Sequence, residues 1–324
     1  MDRLPSLFVS HGAPSFAMEP GLAGPRLTAL GRELPKPRAV LIVSPHWMTP
    51  RPQVGMVERP RTIHDFGGFD PALYEIDYPV AGHPQLARRT LDLLQEAGWS
   101  PRADERRGLD HGAWVPMLYL YPAADVPVFQ VSLPSRLDAD SAWTFGQALA
   151  PLADDGVLIV GSGSLTHNLN EVRGGRGHHG QHGQHGEHGQ HRQHGQHGQH
   201  GHEEAYVAQF AAWVREAVVA GDSTRLRQTL ALAPHGQRAH PTAEHFWPLL
   251  VAAGAAATSL PATVIDGGIT HRVLAMDSFV FGRAGREGRE GRNGDIAVKE
   301  ILDASGRALA QADRGEIRGS EASA

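Results

Sequence analysis

Short apolar runs recur along the chain, and three of them lead into a histidine. The runs and the histidines that follow them are Leu7–Ser10 with His11, Ala39–Ser44 with His46, and Gly156–Val160 with His167. Runs of this length without polar alternation are typical of strands that are buried on both faces of a parallel sheet. The pattern therefore predicts a buried sheet whose strand ends carry histidines.

Amphipathic stretches alternate with these runs and with two further apolar runs at residues 126–133 and 262–265. The predicted helices cover residues 83–97, 142–153, 203–219, 223–233 and 243–253. Because strands alternate with helices, we predict an α/β fold with a single domain, in which helices flank a mostly parallel central sheet. Ligands of such sheets bind beyond the carboxyl ends of the strands, so we expect a metal site at that edge.

Two segments differ in composition from the rest of the chain. Residues 174–202 repeat a Gln-His-Gly triplet and hold ten of the 20 histidines. Residues 283–324 form a polar tail with too little apolar surface to order itself. We therefore predict a catalytic domain over residues 1–282, interrupted by a disordered histidine-rich insertion at 174–202 and followed by a disordered tail.

Charge and hydropathy narrow the range of partners. The 30 basic and 35 acidic residues leave a net charge of -5, and the basic residues do not cluster outside the C-terminal tail, which argues against nucleic acid. No apolar run approaches the roughly 20 residues that span a bilayer, and the N-terminus lacks the pattern of a signal peptide. We expect a cytoplasmic protein with a small-molecule partner, and no heptad pattern indicates its oligomeric state.

The absence of cysteine restricts the chemistry of the chain, because it excludes disulfides, thiolate nucleophiles and zinc-thiolate sites. A lone histidine at a strand end is more often a hydrogen-bonded structural residue than a functional one. Several such histidines in one chain shift the balance towards a metal site, and imidazole nitrogens suit iron, zinc, copper or nickel.

Several segments in a fixed order resemble one enzyme family. They are Ser10–Pro14, Ser44–Trp47, Thr62–Phe69, Leu109–Trp114, Gly161–Gly163 with His167–Leu169, and Pro241–Leu249. In these motifs the chain resembles the extradiol aromatic ring-opening dioxygenases of the DOPA 4,5-dioxygenase type, relatives of the protocatechuate 4,5-dioxygenase catalytic subunit. The resemblance covers about positions 5–282 and implies a catechol substrate and O2 as the reactants.

The resemblance also implies a ligand set. His11, His46 and His245 would be metal ligands, and His167 would be either a fourth ligand or the acid/base. Related enzymes often use two histidines and one carboxylate, and Glu244 adjoins His245. Successive helical residues point about 100° apart, so only one of these two is expected to coordinate, and the family motif favours His245. Fe(II) is the expected working metal, and Zn(II) could occupy the same site.

Further residues are candidates for proton transfer and for contact with the substrate. His167 and His111 are candidate catalytic bases, since histidine titrates near neutral pH, and His111 is expected in a loop near the strand ends. His64 and Phe66 are candidate substrate-binding residues in a glycine-containing loop that could equally be structural. The histidines predicted to be structural or exposed are His83, His235, His240 and His271.

Two other functions compete with the dioxygenase. A zinc hydrolase could use the same histidines, although the chain has neither a Gly-x-Ser-x-Gly elbow nor a His-Glu-x-x-His motif. A metal-binding or storage protein would instead depend on the histidine-rich tract, which could bind nickel, zinc or copper. The tract could also be a repeat expansion in a tolerated loop.

Overall fold

The structure is a computed structural model that describes residues 3–174, 203–256 and 262–282. The strands in these ranges are β1 Ser6–Ser10, β2 Ala39–Thr49, β3 Gln53–Gly55, β4 Arg102–Asp104, β5 Val128–Pro134, β6 Val157–Gly163, β7 Ala262–Ile265, β8 Ile269–Thr270, β9 Leu274–Ala275 and β10 Ser278–Phe281. The α-helices are α1 Ala23–Glu33, α2 Pro84–Glu96, α3 His111–Leu120, α4 Ala139–Leu149, α5 Leu169–Gly174, α6 Ala205–Val219, α7 Ser223–Arg227, α8 Thr229–Leu232, α9 Gly236–Ala239 and α10 Trp247–Ala255. The predicted insertion and tail lie outside the described residues, apart from Gly174.

One sheet forms the centre of the fold, with the strand order β4-β3-β5-β2-β6-β1-β10-β7. The four middle strands, β5, β2, β6 and β1, are parallel to one another. The antiparallel pairs lie further out, where β3 joins β5, and β10 joins β1 and β7. The predicted α/β fold with a mostly parallel central sheet is confirmed.

Helices cover both faces of the parallel strands. Successive residues of a strand point to opposite faces. On β6, Gly161 faces the Pro248 carbonyl of α10, whereas the Ser162 hydroxyl on the other face donates to the Gly112 carbonyl of α3. The strands between these two helix layers are buried along nearly their whole length, as their largely apolar runs predict.

Three predicted elements differ from the observed ones. The helix predicted over 243–253 begins only at Trp247, so His245 lies in the turn before α10 rather than on a helix. Residues 223–233 form two short helices, α7 and α8. His111, expected in a loop, is the first residue of α3.

None of the helices in the described part of the chain has the length and apolar content needed to cross a membrane.

Candidate metal centre and active site

Three imidazoles converge at the carboxyl ends of the parallel strands. His11 directly follows β1, His46 lies in the last part of β2, and His245 lies in the turn before α10. Their nitrogen ligand atoms all lie within 4.8 Å of one another, and Nε2 of His11 is 3.2 Å from Nε2 of His46. The structure therefore brings together three of the four histidines that the sequence predicts as metal ligands.

Backbone hydrogen bonds hold two of these histidines at the end of β6. The His11 amide donates to the Gly163 carbonyl at 2.9 Å, and the Ser164 amide donates to the His245 carbonyl at 3.0 Å. A side chain at Gly163 would place its Cβ 2.3 Å from that same His245 carbonyl oxygen. The glycine therefore allows the turn that carries His245 to lie against the strand end.

A serine hydroxyl fixes the tautomer of His11. Ser162 donates its single proton to the Gly112 carbonyl oxygen, so its oxygen can only accept from His11 Nδ1, 2.9 Å away. His11 therefore carries its proton on Nδ1 and presents the lone pair of Nε2 to the cluster. Metal-bound histidines are oriented by partners of this kind on the nitrogen that does not bind the metal.

A carboxylate oxygen lies near Nδ1 of each of the other two histidines. His245 Nδ1 lies 3.3 Å from Glu244 Oε1, which also accepts from the Thr242 hydroxyl at 2.9 Å. His46 Nδ1 lies 3.7 Å from Asp65 Oδ2. Glu244, the alternative to His245 as a ligand, thus contacts the outer nitrogen of His245. It is therefore not one of the three converging ligand groups.

The donor set fits a metal cation. Nε2 of His11 lies 3.2 Å from Nε2 of His46, and Nε2 of His245 is buried with no hydrogen-bond partner among the described residues. Buried polar atoms are normally paired, and a cation bound by the converging nitrogens would provide the partner that His245 Nε2 lacks. Imidazole nitrogens arranged in this way can hold Fe(II) or Zn(II).

The three imidazoles are neutral at physiological pH, as metal ligands must be. Burial, followed by the neighbouring imidazoles, lowers the pKa of His11 and of His245 well below the usual value of 6.5. Burial and the adjacent His111 lower the pKa of His46 to about 3, although Asp65 opposes that shift. A metal ion therefore meets little competition from protons in this cluster.

His111 lies beside the cluster and is oriented by Asp65. Oδ1 of Asp65 accepts from the His111 ring Nδ1 at 3.0 Å and from its backbone amide at 2.9 Å. Burial alone would raise the pKa of Asp65, but the hydrogen bonds and charge of His111, with His46, outweigh it and lower the pKa to about 2. Asp65 is therefore a carboxylate whose charge faces two imidazoles.

His167 lies on the other side of the cluster, stacked on His245 with ring centroids 3.4 Å apart. Its ligand atoms group with Glu244 and His245, and the group of His11, His46 and His245 does not include it. Burial lowers the pKa of His167 to about 4, against the opposing charge of Glu244, so this imidazole is neutral near pH 7.

A buried polar network supports the elements that carry His46 and His111. Asp110, directly before α3, accepts from Gln130 Nε2 at 2.9 Å, and burial raises the pKa of this carboxyl. Arg107 donates to the His46 carbonyl at 3.0 Å and lies 3.4 Å from Asp110. The end of β2 and the start of α3 are thus connected through side chains as well as by direct packing.

The cluster opens into a cavity of about 540 Å³. Four histidines of the site line it, namely His46, His111, His167 and His245. Phe66 and Phe69 form an aromatic wall, whereas Ser15, Glu19 and His271 are polar lining residues. The cavity is large enough for a single-ring aromatic compound.

The two predicted substrate-binding residues differ in their position relative to the cavity. Phe66 lines the cavity. His64 is not among its lining residues, because its Nε2 donates to the Ile76 carbonyl at 2.9 Å and its ring stands behind that of Phe66, with centroids 5.7 Å apart.

Several residues of the site were not predictable from the sequence. Asp65 and Ser162 lie within motifs of the family resemblance, but only the folded chain brings them to His111 and His11. The expectation that His271 is structural or exposed is incomplete, because the side chain lines the cavity. The hairpin that carries it, β8 to β9, has strands of two residues each and so gives little periodic signal.

Comparison with known proteins agrees with this geometry. The family model described as "Catalytic LigB subunit of aromatic ring-opening dioxygenase" matches residues 26–282. A "4,5-DOPA dioxygenase extradiol" of Beta vulgaris is 39% identical over 272 residues, covering 82% of this chain and 92% of the relative. A protein of the same name from Escherichia coli strain K12 is 34% identical over 284 residues, covering 86% of this chain and 95% of the relative.

A solved structure is similar as well. The crystal structure of an uncharacterised protein from Escherichia coli K12 superposes with a TM-score of 0.65 at 29% identity, covering 86% of this chain and 100% of that one. The predictions of a metal-dependent extradiol dioxygenase and of its fold are confirmed by these matches. The chain belongs to the LigB family of aromatic ring-opening dioxygenases.

Proposed function

We propose that this protein opens a catechol ring of the dihydroxyphenylalanine type by extradiol cleavage, with Fe(II) as the metal and dioxygen as the second reactant. The single observation that carries the proposal is the convergence of His11, His46 and His245 at the end of a cavity with an aromatic wall. The names of relatives in Beta vulgaris and Escherichia coli supply the substrate type.

The three converging histidines would hold the metal. Ser162 and Glu244 orient two of them through their outer nitrogens, which leaves the inner nitrogens for coordination. A ferrous ion held by these residues would supply the redox chemistry that couples oxidation of the catechol ring to reduction of dioxygen. Zn(II) suits the same donors and binds more tightly in general, so we expect it in preparations made without added iron.

His111 is the proposed base for the catechol hydroxyl. With the Nδ1 proton donated to Asp65, the lone pair of Nε2 is available to accept a proton. Because His111 begins α3 and its amide is also bound by Asp65, the ring has little freedom to turn away. Asp65 stabilises the imidazolium that forms when the proton arrives.

His167 is the proposed second proton carrier. Its stacking on His245 keeps the ring beside the converging nitrogens, and its amide donates to the Ala239 carbonyl at 2.8 Å. Since burial keeps the imidazole neutral near pH 7, it can take up one proton and return it as the ring opens.

Phe66 is the proposed contact for the substrate ring. Its ring forms part of the cavity wall and is 5.6 Å from that of His111, in an edge-to-face arrangement. An aromatic wall of this kind favours a planar substrate over an aliphatic one. The proposed role of His64 is to support Phe66 from behind.

Oxygen labelling tests the proposal against the competing zinc hydrolase. We expect protein reconstituted anaerobically with Fe(II) and then given dihydroxyphenylalanine and ¹⁸O2 to release a coloured ring-opened product that carries both labelled atoms. The same protein loaded with Zn(II) is the control and should give no product. Incorporation of label from H2¹⁸O alone, or turnover that needs no dioxygen, would contradict extradiol cleavage and favour hydrolysis.

A further inference from the structure

The proposed metal ligand His46 lies where β2 leaves the regular pairing of the sheet. On β5, Ser132 and Leu133 are neighbours, but their partners on β2, Ser44 and Met48, are separated by three residues that include His46. The pairing of β2 with β6 ends before this point. His46 is therefore in a β-bulge, a feature that re-aims side chains, often beside active sites, and interrupts the hydrogen bonds of the sheet.

Two side chains bind the backbone of His46 in this bulge. Its amide donates to the Ser44 hydroxyl oxygen at 3.2 Å, and its carbonyl accepts from Nη2 of Arg107 at 3.0 Å. The bond to Ser44 is local, because two residues separate the partners, whereas Arg107 is 61 residues away on the segment that leads to α3. The bond from Arg107 therefore ties the bulge to another part of the fold.

Arg107 is itself held by several contacts. Its backbone amide donates to Oδ1 of Asp104 at 2.8 Å, its guanidinium carbon lies 5.4 Å from the ring centroid of Trp47, and its Nη2 lies 3.4 Å from Oδ2 of Asp110. Asp110 is fully buried, accepts from the Gln130 side chain at 2.9 Å, and donates its amide to the same side chain at 3.1 Å. Because these contacts restrict the guanidinium, they also restrict the carbonyl that it binds.

We propose that Arg107 is a positioning residue that directs the His46 imidazole towards the metal. The inference rests on the proposed function, in which His46 is a metal ligand. A hydrogen bond from a guanidinium is charge-assisted and therefore stronger than one between neutral groups. Because the same guanidinium contacts Asp110, which directly precedes His111, it also links the ligand to the proposed base. Arg107 does not line the cavity and acts only through the residues that it holds.

The test reads the geometry of the metal site and does not depend on turnover. Co(II) is the spectroscopic probe, because its visible absorption depends on the number and arrangement of its ligands, and Zn(II) affinity is measured by competition with a chromophoric chelator. Arg107→Met keeps an unbranched stem beside Trp47 and removes the donor, whereas Arg107→Lys restores a charged donor.

The matched control is Arg3→Met. Arg3 also donates to a backbone carbonyl, that of Ala150 at 2.9 Å, and pairs with a carboxylate, that of Asp154. It precedes the amino end of β1, whereas the histidine cluster lies at the carboxyl end. The control therefore removes an equivalent set of contacts at a distance from the metal.

We expect Arg107→Met to bind Zn(II) about tenfold to hundredfold more weakly than the wild type and to shift the Co(II) spectrum, as is typical when a residue that orients a ligand is removed. Arg107→Lys should recover part of the affinity and a spectrum closer to that of the wild type. Arg3→Met should lower the free energy of urea unfolding but change neither the affinity nor the spectrum. If Arg107→Met does not fold, Arg107→Gln carries the same prediction, because glutamine is too short to reach the carbonyl.

Wild-type affinity and spectrum in the Arg107 variants would overturn the positioning role. Equal changes in Arg3→Met would also overturn it, since the effect would then follow from a general loss of stability. Oxygen uptake by the Fe(II)-loaded wild type, measured in parallel with catechols, separates this inference from the proposed function. A spectrum that depends on Arg107 in a protein that consumes no oxygen would refute the proposed function and retain the positioning role, whereas a wild type that binds no stoichiometric Co(II) would overturn both.

Discussion

At the scale of single residues, the metal-binding capacity of the site depends on which nitrogen of each imidazole carries the proton. For His11 the assignment follows from the chemistry of Ser162, whose one hydroxyl proton is used at the Gly112 carbonyl. The oxygen must therefore accept from His11 Nδ1. This chain of hydrogen bonds also joins a proposed metal ligand to the first turn of α3, where His111 lies.

Replacing Ser162 tests this assignment. We expect Ser162→Ala to weaken metal binding about tenfold to hundredfold, because His11 loses the acceptor that fixes its tautomer. Competition of Zn(II) against a chromophoric chelator measures the affinity. Ser164→Ala is the matched control, since the Ser164 hydroxyl is equally buried but donates to the Thr166 carbonyl. Equal affinity in Ser162→Ala and wild type would contradict the assignment.

Asp65 should act on the rate rather than on metal content. We expect Asp65→Asn to bind a full equivalent of metal but to lower kcat about tenfold to hundredfold, because the neutral amide no longer stabilises protonated His111. Steady-state kinetics together with metal analysis separates the two effects. Asp77→Asn serves as the control, because Asp77 is an exposed carboxylate that accepts from Thr62 at 2.5 Å. An unchanged kcat in Asp65→Asn would remove Asp65 from the mechanism.

At the scale of elements, the site is made where the start of α3 meets the end of β2. Gly112 permits this contact, because a Cβ at that position would lie 2.4 Å from Ser44 Oγ and 3.0 Å from His46 Cδ2. Both neighbours are constrained, since Ser44 is buried and His46 is a proposed ligand.

We expect Gly112→Ala to lower the free energy of unfolding by about 1–3 kcal/mol through overpacking, and to lower kcat as His46 shifts. Urea unfolding and steady-state kinetics measure the two effects. Gly67→Ala is the control, because a Cβ at Gly67 would meet no atom within 4 Å. A Gly112→Ala protein as stable and as active as wild type would show that the contact tolerates a methyl group.

The elements also show what could be predicted from the sequence. Strands β1, β2, β5 and β6 were predictable because they are buried on both faces and their runs are largely apolar. Helix α3 was not, because it is buried almost all round and has Pro116 inside it, so no amphipathic pattern marks it. The position of His245 in a turn was missed for a related reason, since the segment before Trp247 is a hydrogen-bonded turn that leads directly into α10, with the Phe246 amide donating to the Ala243 carbonyl at 2.9 Å.

Which residues of the site could be predicted also depended on whether the information lies in one short segment or in residues far apart in the sequence. Candidate ligand positions could be proposed because each belongs to a motif that a short segment carries. Partners such as Asp65 and Ser162 could not, because 46 residues separate Asp65 from His111 and 151 separate His11 from Ser162. Only the folded chain identifies them.

At the scale of the whole molecule, buried imidazoles connect the site to stability. Burial lowers the pKa of His240 to about 4, and its Nε2 donates to the Leu165 carbonyl at 2.9 Å. In the unfolded chain the same group titrates near 6.5. Below that pH the unfolded state binds protons that the folded state does not, so acid favours unfolding.

We expect the metal-free protein to lose stability steadily as the pH falls from about 6.5 towards 4, with His240 alone contributing about 3 kcal/mol over that range. Urea unfolding of chelator-treated protein at several pH values measures the slope. His240→Leu should start less stable, because the Leu165 carbonyl loses its donor, but should show a shallower slope. A stability that is constant or rises on acidification would contradict the lowered pKa of these histidines.

The most direct test of the central claim is oxygen consumption by protein reconstituted anaerobically with Fe(II) and given dihydroxyphenylalanine. If His11, His46 and His245 hold the metal on which ring opening depends, the wild type should consume one O2 for each ring opened, and His46→Ala should bind no stoichiometric iron and consume none. Iron-loaded wild-type protein that consumes no oxygen with any catechol, or a fully active His46→Ala variant, would contradict the account.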